Sequence, residues 1–219
     1  MWIWEELDED NFETIAVLQE HTQDVKCVCW HPTDLLLASA SYDDTVRLWR
    51  DDGDDWECCA VLTGHDGTVW SLSWEGSGER LCSVGDDLVG LLWAKKTPAA
   101  GGDGEKGVSI LRGERQDEEW EVVARLPKAH ERSVYSVDWS KRSGRIVTCG
   151  GDGRVVVYEE DKAAGEWKVL ASVEGAHGVY EVNCAIWSKR FDAGARGEEE
   201  EIIVTCGDDG EVRIWTLEE

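Results

Sequence analysis

The chain has 219 residues, with 47 Asp or Glu against 22 Lys or Arg, so its formal net charge is −25. This surplus repels nucleic-acid phosphates and anionic membrane surfaces, and the sequence has no local basic patch to offset it. The N-terminus lacks the basic and apolar regions of a secretory signal, and no stretch approaches the ~20 apolar residues of a membrane-spanning helix. We therefore expect an intracellular protein that binds neither nucleic acid nor membrane.

One strand–turn–strand unit occurs four times along the chain. Each copy has a short apolar strand, a turn that contains aspartate, and a second strand ending in an aromatic residue six positions after that aspartate. Aspartate favours turns because its side chain bonds to nearby backbone. Four copies of one unit predict a repeat architecture. The copies are Leu35 to Trp49, Leu81 to Trp93, Ile146 to Tyr158 and Ile203 to Trp215.

Two further strands flank each unit. The strand before it follows a histidine and has the pattern V-x-x-apolar-x-W, as in Val25 to Trp30. The strand after it opens on an aromatic residue, as at Trp56, and Phe12 opens a similar strand near the N-terminus. Four short strands per repeat, with turn residues between them, indicate a β-propeller blade.

The fold prediction is therefore an all-β propeller of about four four-stranded blades in a single domain, residues 1–219. The blades are expected at residues 19–62, 63–126, 128–173 and 175–219, with surface insertions at 95–117 and 189–201. Residues 1–18 are expected to form strands of a preceding or closing blade. The strand Glu9 to Leu18 could complete the last blade and close a small ring, remain at the edge of an open arc, or pair with a second chain. We favour the open arc.

Every repeat contains a histidine, a hydroxyl residue, an aspartate and an aromatic residue in the same order. A Ser-His-Asp inventory suggests a hydrolase, but catalysis needs one site and not four. Indole, hydroxyl, imidazole and carboxylate can instead form a hydrogen-bonded chain that joins strands and turn. We predict structural tetrads and no catalytic, cofactor-binding or metal-binding residues. The tetrads are His21, Ser39, Asp43 and Trp49; His65, Ser83, Asp87 and Trp93; His130, Thr148, Asp152 and Tyr158; and His177, Thr205, Asp209 and Trp215.

The eight cysteines form no C-x-x-C pair, so no common zinc or redox spacing is present. Nearly all lie in predicted strands, where we expect them to be buried, reduced thiols. A role as metal or cluster ligands is the alternative. His31, which lies outside the tetrads, is expected to be a turn residue.

A partner-binding surface is predicted where each first strand starts and where each turn begins, because these positions line one face of a propeller. The candidates are Lys26, Tyr42, Trp70, Tyr135 and Asn183. Exposed aromatic residues are frequent interface anchors. The alternative is that they are isolated surface aromatics. The tripeptide Leu48-Trp49-Arg50 is similar to a Leu-Tyr-Arg docking motif, but its place at a strand end favours a structural role.

The repeats resemble WD-repeat blades, with the dipeptide Gly64-His65 and closing Leu-Trp or Ile-Trp pairs. His21 to Trp74, and Ala176 to Trp187 with Cys206 to Trp215, resemble the WD-repeat scaffold of the cytosolic iron–sulfur protein assembly machinery. That resemblance implies a seven-bladed family, of which this chain would hold the C-terminal four blades. It also implies a non-catalytic docking subunit in cytosol and nucleus. Its partners would be a small adaptor, a large helical-repeat subunit and the apoproteins that receive [4Fe–4S] clusters.

Two other functions were weighed against this one. A scaffold of another pathway, such as a ubiquitin-ligase substrate receptor, often carries W-D-x-R after the blade. The sequences after Trp49 and Trp93 do not match that motif. An enzyme is disfavoured by the fourfold repetition of the tetrad.

Overall fold

The computed structural model describes residues 1–8, 10–51, 53, 55–97, 118–191, 194–195, 197 and 200–217. Within these ranges the chain forms seventeen β-strands and no helix. The strands are β1 Trp2–Asp8, β2 Asn11–Val17, β3 Val25–Trp30, β4 Leu36–Ser41, β5 Thr45–Asp51, β6 Trp56–Thr63, β7 Val69–Trp74, β8 Arg80–Gly85, β9 Gly90–Lys95, β10 Trp120–Arg125, β11 Val134–Trp139, β12 Ile146–Gly150, β13 Val155–Asp161, β14 Glu166–Val173, β15 Val182–Lys189, β16 Glu201–Gly207 and β17 Val212–Trp215.

The strands form five antiparallel sheets in which neighbours along the chain are neighbours in space. Strands β3–β6, β7–β10 and β11–β14 form three four-stranded sheets, which we call blades one, two and three. Strands β15–β17 form a three-stranded sheet, blade four, and β1–β2 form an N-terminal hairpin. The all-β fold and the four-stranded repeats are confirmed, except that blade four has three strands in the described part of the chain.

The second strands of blades one and three are buried on both faces, because a neighbouring sheet or hairpin covers each side. Every residue of β4 is buried, as is every residue of β12. Such strands need small apolar residues on both faces, and Ala38 and Ala40 have no exposed surface at all. This explains why the second strands read as continuous apolar runs in the sequence.

Three apolar cores hold successive blades together. Between blades one and two, Val46 and Leu48 pack in one buried cluster with Leu81, Leu91 and Trp93. A second cluster joins blades two and three, and a third joins blades three and four. Burial of apolar side chains at about 25 cal/mol per Å² is the main stabilising contribution at these contacts.

The sheets do not close into a ring. Strand β2 pairs with β1, so the described part of the chain provides no fourth strand for the edge of β17. At one end of the array Trp30 is 50% exposed, whereas its counterpart Trp74 is fully buried. At the other end Ile214 is 66% exposed, whereas its counterpart Leu92 is fully buried. The open arc is therefore confirmed, and the alternative of a closed four-bladed ring is wrong.

The two predicted insertions differ in how much of them is described. In the 189–201 insertion, β15 extends to Lys189 and β16 starts at Glu201, and Arg190 pairs with Glu200 at 2.9 Å across its base. In the 95–117 insertion, Lys95 is the last residue of β9, and residues 98–117 lie outside the described residues.

His31 joins two blades, in addition to its predicted place in a turn. Its Nδ1 accepts the backbone N–H of Asp34 at 3.0 Å, so its Nε2 carries the proton and donates to the Gly78 carbonyl at 3.0 Å. The ring also packs edge-on against Trp74, with 4.8 Å between centroids. Blade one therefore contacts the β7–β8 turn of blade two through a polar side chain as well as through the core.

We predict that Gly78→Ala destabilises the fold more than Gly144→Ala. Both glycines have positive φ, 81° and 73°, so both substitutions carry backbone strain. A Cβ at position 78 would lie 2.2 Å from the His31 ring, whereas a Cβ at position 144 would have nothing within 4 Å. Overpacking of this kind costs about 1–3 kcal/mol. Urea unfolding of both variants measures the difference, and equal losses would contradict the contact.

Candidate docking surface

The blade-two tetrad is a continuous chain of hydrogen bonds. Nδ1–H of His65 donates to the Asp87 carboxylate at 2.9 Å, which leaves Nε2 to accept the Ser83 hydroxyl at 2.7 Å. The Trp93 indole N–H donates to the same hydroxyl at 2.7 Å. Asp87 also accepts the backbone N–H of Asp66 and of Val89. The chain thus ties the start of the blade, its second and third strands and the turn between them.

The other tetrads repeat this geometry. Histidine–aspartate distances are 2.8 Å in blades one and four and 3.1 Å in blade three, and all three histidine–hydroxyl distances are 2.8 Å. The indoles of Trp49 and Trp215 donate at 2.8 and 2.9 Å. In blade three Tyr158 takes the place of tryptophan; burial raises the pKa of Tyr158 to about 12, opposed by a hydrogen bond with Thr148.

Protonation states follow from this geometry. Burial lowers the pKa of His21, opposed by Asp43, so the imidazole stays neutral. Burial alone would raise the pKa of Asp152, but the hydrogen bonds from His130 and from backbone N–H groups lower it to about 2. The pKa of Asp43 is lowered in the same way, by Thr45 and His21. A neutral histidine beside an ionised aspartate is the state that the chain of donors requires.

A hydrolase would need a hydroxyl that substrate can reach, and the tetrads do not offer one. Ser39, Ser83, Thr148 and Thr205 are each at most 1% exposed. The tetrad hydroxyls of Ser39, Ser83 and Thr205 bond both to histidine and to an indole N–H, as in blade two. Among the described residues, no group of three or more His, Cys, Asp or Glu could hold a metal ion. The arrangement can fix backbone, and it leaves no hydroxyl poised for attack.

The residue before each turn aspartate is held by one recurring backbone bond. Its N–H donates to a carbonyl just ahead of the first strand, as from Tyr42 to Asp24 at 2.9 Å and from Asp86 to Thr68 at 3.0 Å. Gly151 and Asp208 make the corresponding bonds in blades three and four. Each such residue is thereby placed beside the second residue of the first strand.

Those two positions contact each other in every blade, although the chemistry differs. In blade one the Lys26 ammonium lies 4.1 Å from the centre of the Tyr42 ring. In blade two the Trp70 indole N–H donates to Asp86 at 2.7 Å. In blade four the Asn183 amide donates to Asp208 at 2.7 Å. In blade three Tyr135 lies over glycine: a Cβ at Gly151 would come within 2.9 Å of the Tyr135 hydroxyl.

The contacts continue from blade to blade. Trp70 packs edge-on against Tyr42 on one side and Tyr135 on the other, with ring centroids 5.4 and 5.6 Å apart. The Tyr135 hydroxyl donates to Glu181 at 2.9 Å, in the segment that leads into blade four. The five residues Lys26, Tyr42, Trp70, Tyr135 and Asn183 are called the docking row below. The first four form one contiguous cluster, not isolated surface aromatics.

A cleft of about 380 Å³ adjoins the row where blade three meets blade four. Its lining residues include Arg132, Gly151, Val179 and Tyr180. Val179 is 96% exposed, and Arg132 forms an ion pair with Glu181 at 3.0 Å. Sequence reasoning missed this cleft because the segment between the tetrad histidine and the first strand, which carries Val179 and Tyr180, is one residue longer in blade four than in the other blades.

Of two other sequence candidates, the Leu-Trp-Arg tripeptide has the surroundings expected of a structural role, and the cysteines differ from expectation. Leu48 and Trp49 of the Leu-Trp-Arg tripeptide are buried, so these side chains are not available to a partner. All eight cysteines are free, but only Cys58, Cys59, Cys82 and Cys149 are buried. Cys27, Cys29 and Cys206 are partly buried and Cys184 is exposed, so the expectation that nearly all are buried is wrong for half of them.

The described residues contain no helix that could cross a bilayer.

A family model described as "WD domain, G-beta repeat" matches residues 12–50, 56–93, 120–159 and 167–216. The chain belongs to the WD-repeat family.

Several fungal relatives named "Probable cytosolic iron-sulfur protein assembly protein 1" are similar to this WD-repeat chain. The relative from Chaetomium globosum is 42% identical over 99% of the chain and 58% of its own length. The relative from Sclerotinia sclerotiorum is 48% identical over 100% of the chain and 56% of its own length. The relative from Aspergillus terreus is 44% identical over 96% of the chain and 72% of its own length. The chain spans about three-fifths of the length of the first relatives that it matches.

We predict that Ser83→Ala and Trp93→Phe are destabilising and strongly non-additive. Ser83→Ala leaves the buried His65 and Trp93 nitrogens without their partner, at a cost of about 2–3 kcal/mol. Once that hydroxyl is gone, removing the indole N–H costs less, so a coupling of about 1 kcal/mol is expected. Urea unfolding of the two single variants and the double variant measures it. Ser172→Ala, on an exposed strand position, is the control and should change stability by less than about 0.5 kcal/mol. Additive losses would contradict a shared network.

We predict that acid destabilises the fold partly through Asp152. The folded-state pKa is about 2 against an ordinary 3.8, so the contribution of Asp152 is complete above 3.8 and is lost as pH falls towards 2. Unfolding free energies measured between pH 5 and pH 2.5 should fall less steeply in Asp152→Asn than in the original chain. Identical slopes would show that this carboxylate is not stabilised by the tetrad.

Proposed function

We propose that this chain is a non-catalytic scaffold in iron–sulfur protein assembly. Relatives that align with nearly the whole chain at 42–48% identity carry that function in their names. The docking row supports the proposal physically, since a scaffold needs a surface whose side chains are already ordered before a partner arrives.

The contiguity of the row is the observation that carries the proposal. Trp70 contacts aromatic neighbours on both sides and is only partly buried, so it combines a fixed conformation with accessible area. Rigid aromatic side chains at the centre of a surface are typical binding hot spots. Blades two and three, which carry Trp70 and Tyr135, have neighbours on both sides and are the best supported part of the array.

The row would bind the protein partners of the iron–sulfur targeting complex. We propose a small adaptor and a large helical-repeat subunit, together with apoproteins that receive [4Fe–4S] clusters, in the cytosol and the nucleus. The cluster would be cargo of the assembled complex. The net charge of −25 favours a partner surface that is polar or basic over one that is acidic.

We predict that Trp70→Ala with Tyr135→Ala weakens capture of the adaptor at least about tenfold, because two central anchors each contribute more than about 1 kcal/mol. A pull-down of purified adaptor over a range of concentrations measures this. Trp2→Ala with Phe12→Ala, on the N-terminal hairpin, removes two aromatics that are 62% and 57% exposed and should leave capture unchanged. Gly151→Ala provides a second test, since it displaces Tyr135 without deleting a ring.

Thermal unfolding of each variant separates loss of binding from loss of fold. Full capture by a folded Trp70→Ala, Tyr135→Ala variant would contradict the proposed surface. Capture of a ubiquitin-ligase subunit with no capture of the adaptor would favour the scaffold of another pathway.

A further inference from the structure

Blade four places two cysteines directly opposite each other. Cys184 on β15 and Cys206 on β16 are register partners in the antiparallel ladder. Opposed residues in such a ladder have Cα atoms about 4.5–5.5 Å apart. That separation falls inside the range of about 4.4–6.8 Å that a disulfide spans. The register of the ladder therefore places these two cysteines within the range that a disulfide spans.

The same register pair occurs in each of the four blades, and only blade four fills it with two thiols. The counterparts are Cys27 with Ala40, Ser71 with Val84, and Ser136 with Cys149. In blade three the pair is buried by blade four, whereas Cys184 is exposed and Cys206 is partly buried. A reagent in solution can therefore reach the blade-four pair.

The two thiols are close enough to interact. Burial is the main cause of the raised pKa of the Cys184 thiol, and the Cys206 thiol raises it further through charge and hydrogen-bond interactions. The nearby Ser136 hydroxyl lies 3.9 Å from the Cys184 sulfur. Cys149, the third thiol in this region, is fully buried in the core between blades three and four. It is thereby separated from reagents that reach Cys184.

We propose that Cys184 and Cys206 form a reversible dithiol–disulfide site that is oxidised by low-molecular-weight disulfides such as glutathione disulfide. The Cys184 thiolate attacks one sulfur of glutathione disulfide, breaks its S–S bond and releases one glutathione thiolate. The Cys206 thiolate then attacks Cys184 sulfur, forms the intramolecular bond and releases the second glutathione. Two electrons pass from the protein thiols to the glutathione disulfide, and the two thiol protons end on the two glutathione molecules.

The site lies next to the docking row. Asn183 precedes Cys184, Asp208 follows Cys206 by two residues, and the hydrogen bond from Asn183 to Asp208 links the same two strands. A covalent bond between β15 and β16 would fix the edge of the row in blade four. Accessible disulfides are more readily reduced than buried structural ones, which makes the modification reversible.

The test uses the full chain, first reduced and then equilibrated with glutathione buffers of increasing disulfide content. Free thiols are alkylated, and tryptic peptides are identified by mass spectrometry. The peptides 169–189 and 197–213, which carry one cysteine each, should appear joined with the loss of two hydrogens. Joined peptide should rise to near completion at the expense of both alkylated peptides, and dithiothreitol should return it fully to dithiol.

Three controls make the outcome specific. Cys184→Ser and Cys206→Ser should each abolish the joined peptide, whereas Cys27→Ser, at the same register position opposite Ala40, should leave it unchanged. In denaturing urea the selectivity for this pair over the other cysteines should be lost, because the register that aligns it is gone. The proposal is overturned by a stable mixed disulfide of glutathione on Cys184 with Cys206 still free. It is equally overturned by no oxidation, or by bridging to Cys149.

Discussion

Each blade depends on one buried hydroxyl group, which is hydrogen-bonded to a tryptophan indole or to the tyrosine of blade three. The same hydroxyl bonds to a neutral histidine, and the other ring nitrogen of that histidine bonds to an ionised aspartate. Ser83 in blade two makes these contacts at 2.7 Å on both sides. The aspartate at the end of this hydrogen-bonded chain fixes the turn. The residue just before it, Tyr42 in blade one and Asp86 in blade two, is positioned by its own backbone N–H bond to the segment ahead of the first strand. The docking row therefore depends on the tetrads: buried polar networks set where the surface aromatics lie. A fully satisfied network stabilises a single conformation, and a partly satisfied one would not.

The repeat made most of the fold predictable. Strand alternation, turn aspartates and closing aromatics recur at fixed spacing, so the blades and the tetrad partners could be assigned from sequence. The sequence also placed the residues of the row on one face, although it did not predict that Lys26 contacts Tyr42 or that Asn183 bonds to Asp208. Repetition is informative because each copy must solve the same packing problem.

Features outside the repeat could not be predicted in the same way. His31 occurs once, and its contact with Gly78 depends on how two blades meet. The choice of β2 to pair with β1 depends on competition between two free strand edges, which a strand pattern does not resolve. Cys184 is exposed, whereas Cys149, in the equivalent register pair of blade three, is buried, and a strand pattern does not distinguish the two. Tertiary context decided all three cases.

The central claim is that a surface prepared by four internal networks binds protein partners, and amide hydrogen exchange with and without the purified adaptor tests it most directly. Tetrad turns should already be protected in the free chain. Addition of adaptor should increase protection in the segments that carry the row, residues 24–26, 41–43, 69–70, 134–135 and 181–183, with little change on the outer strands β6, β10 and β14. Protection gained on those outer strands and absent from the row would contradict the account.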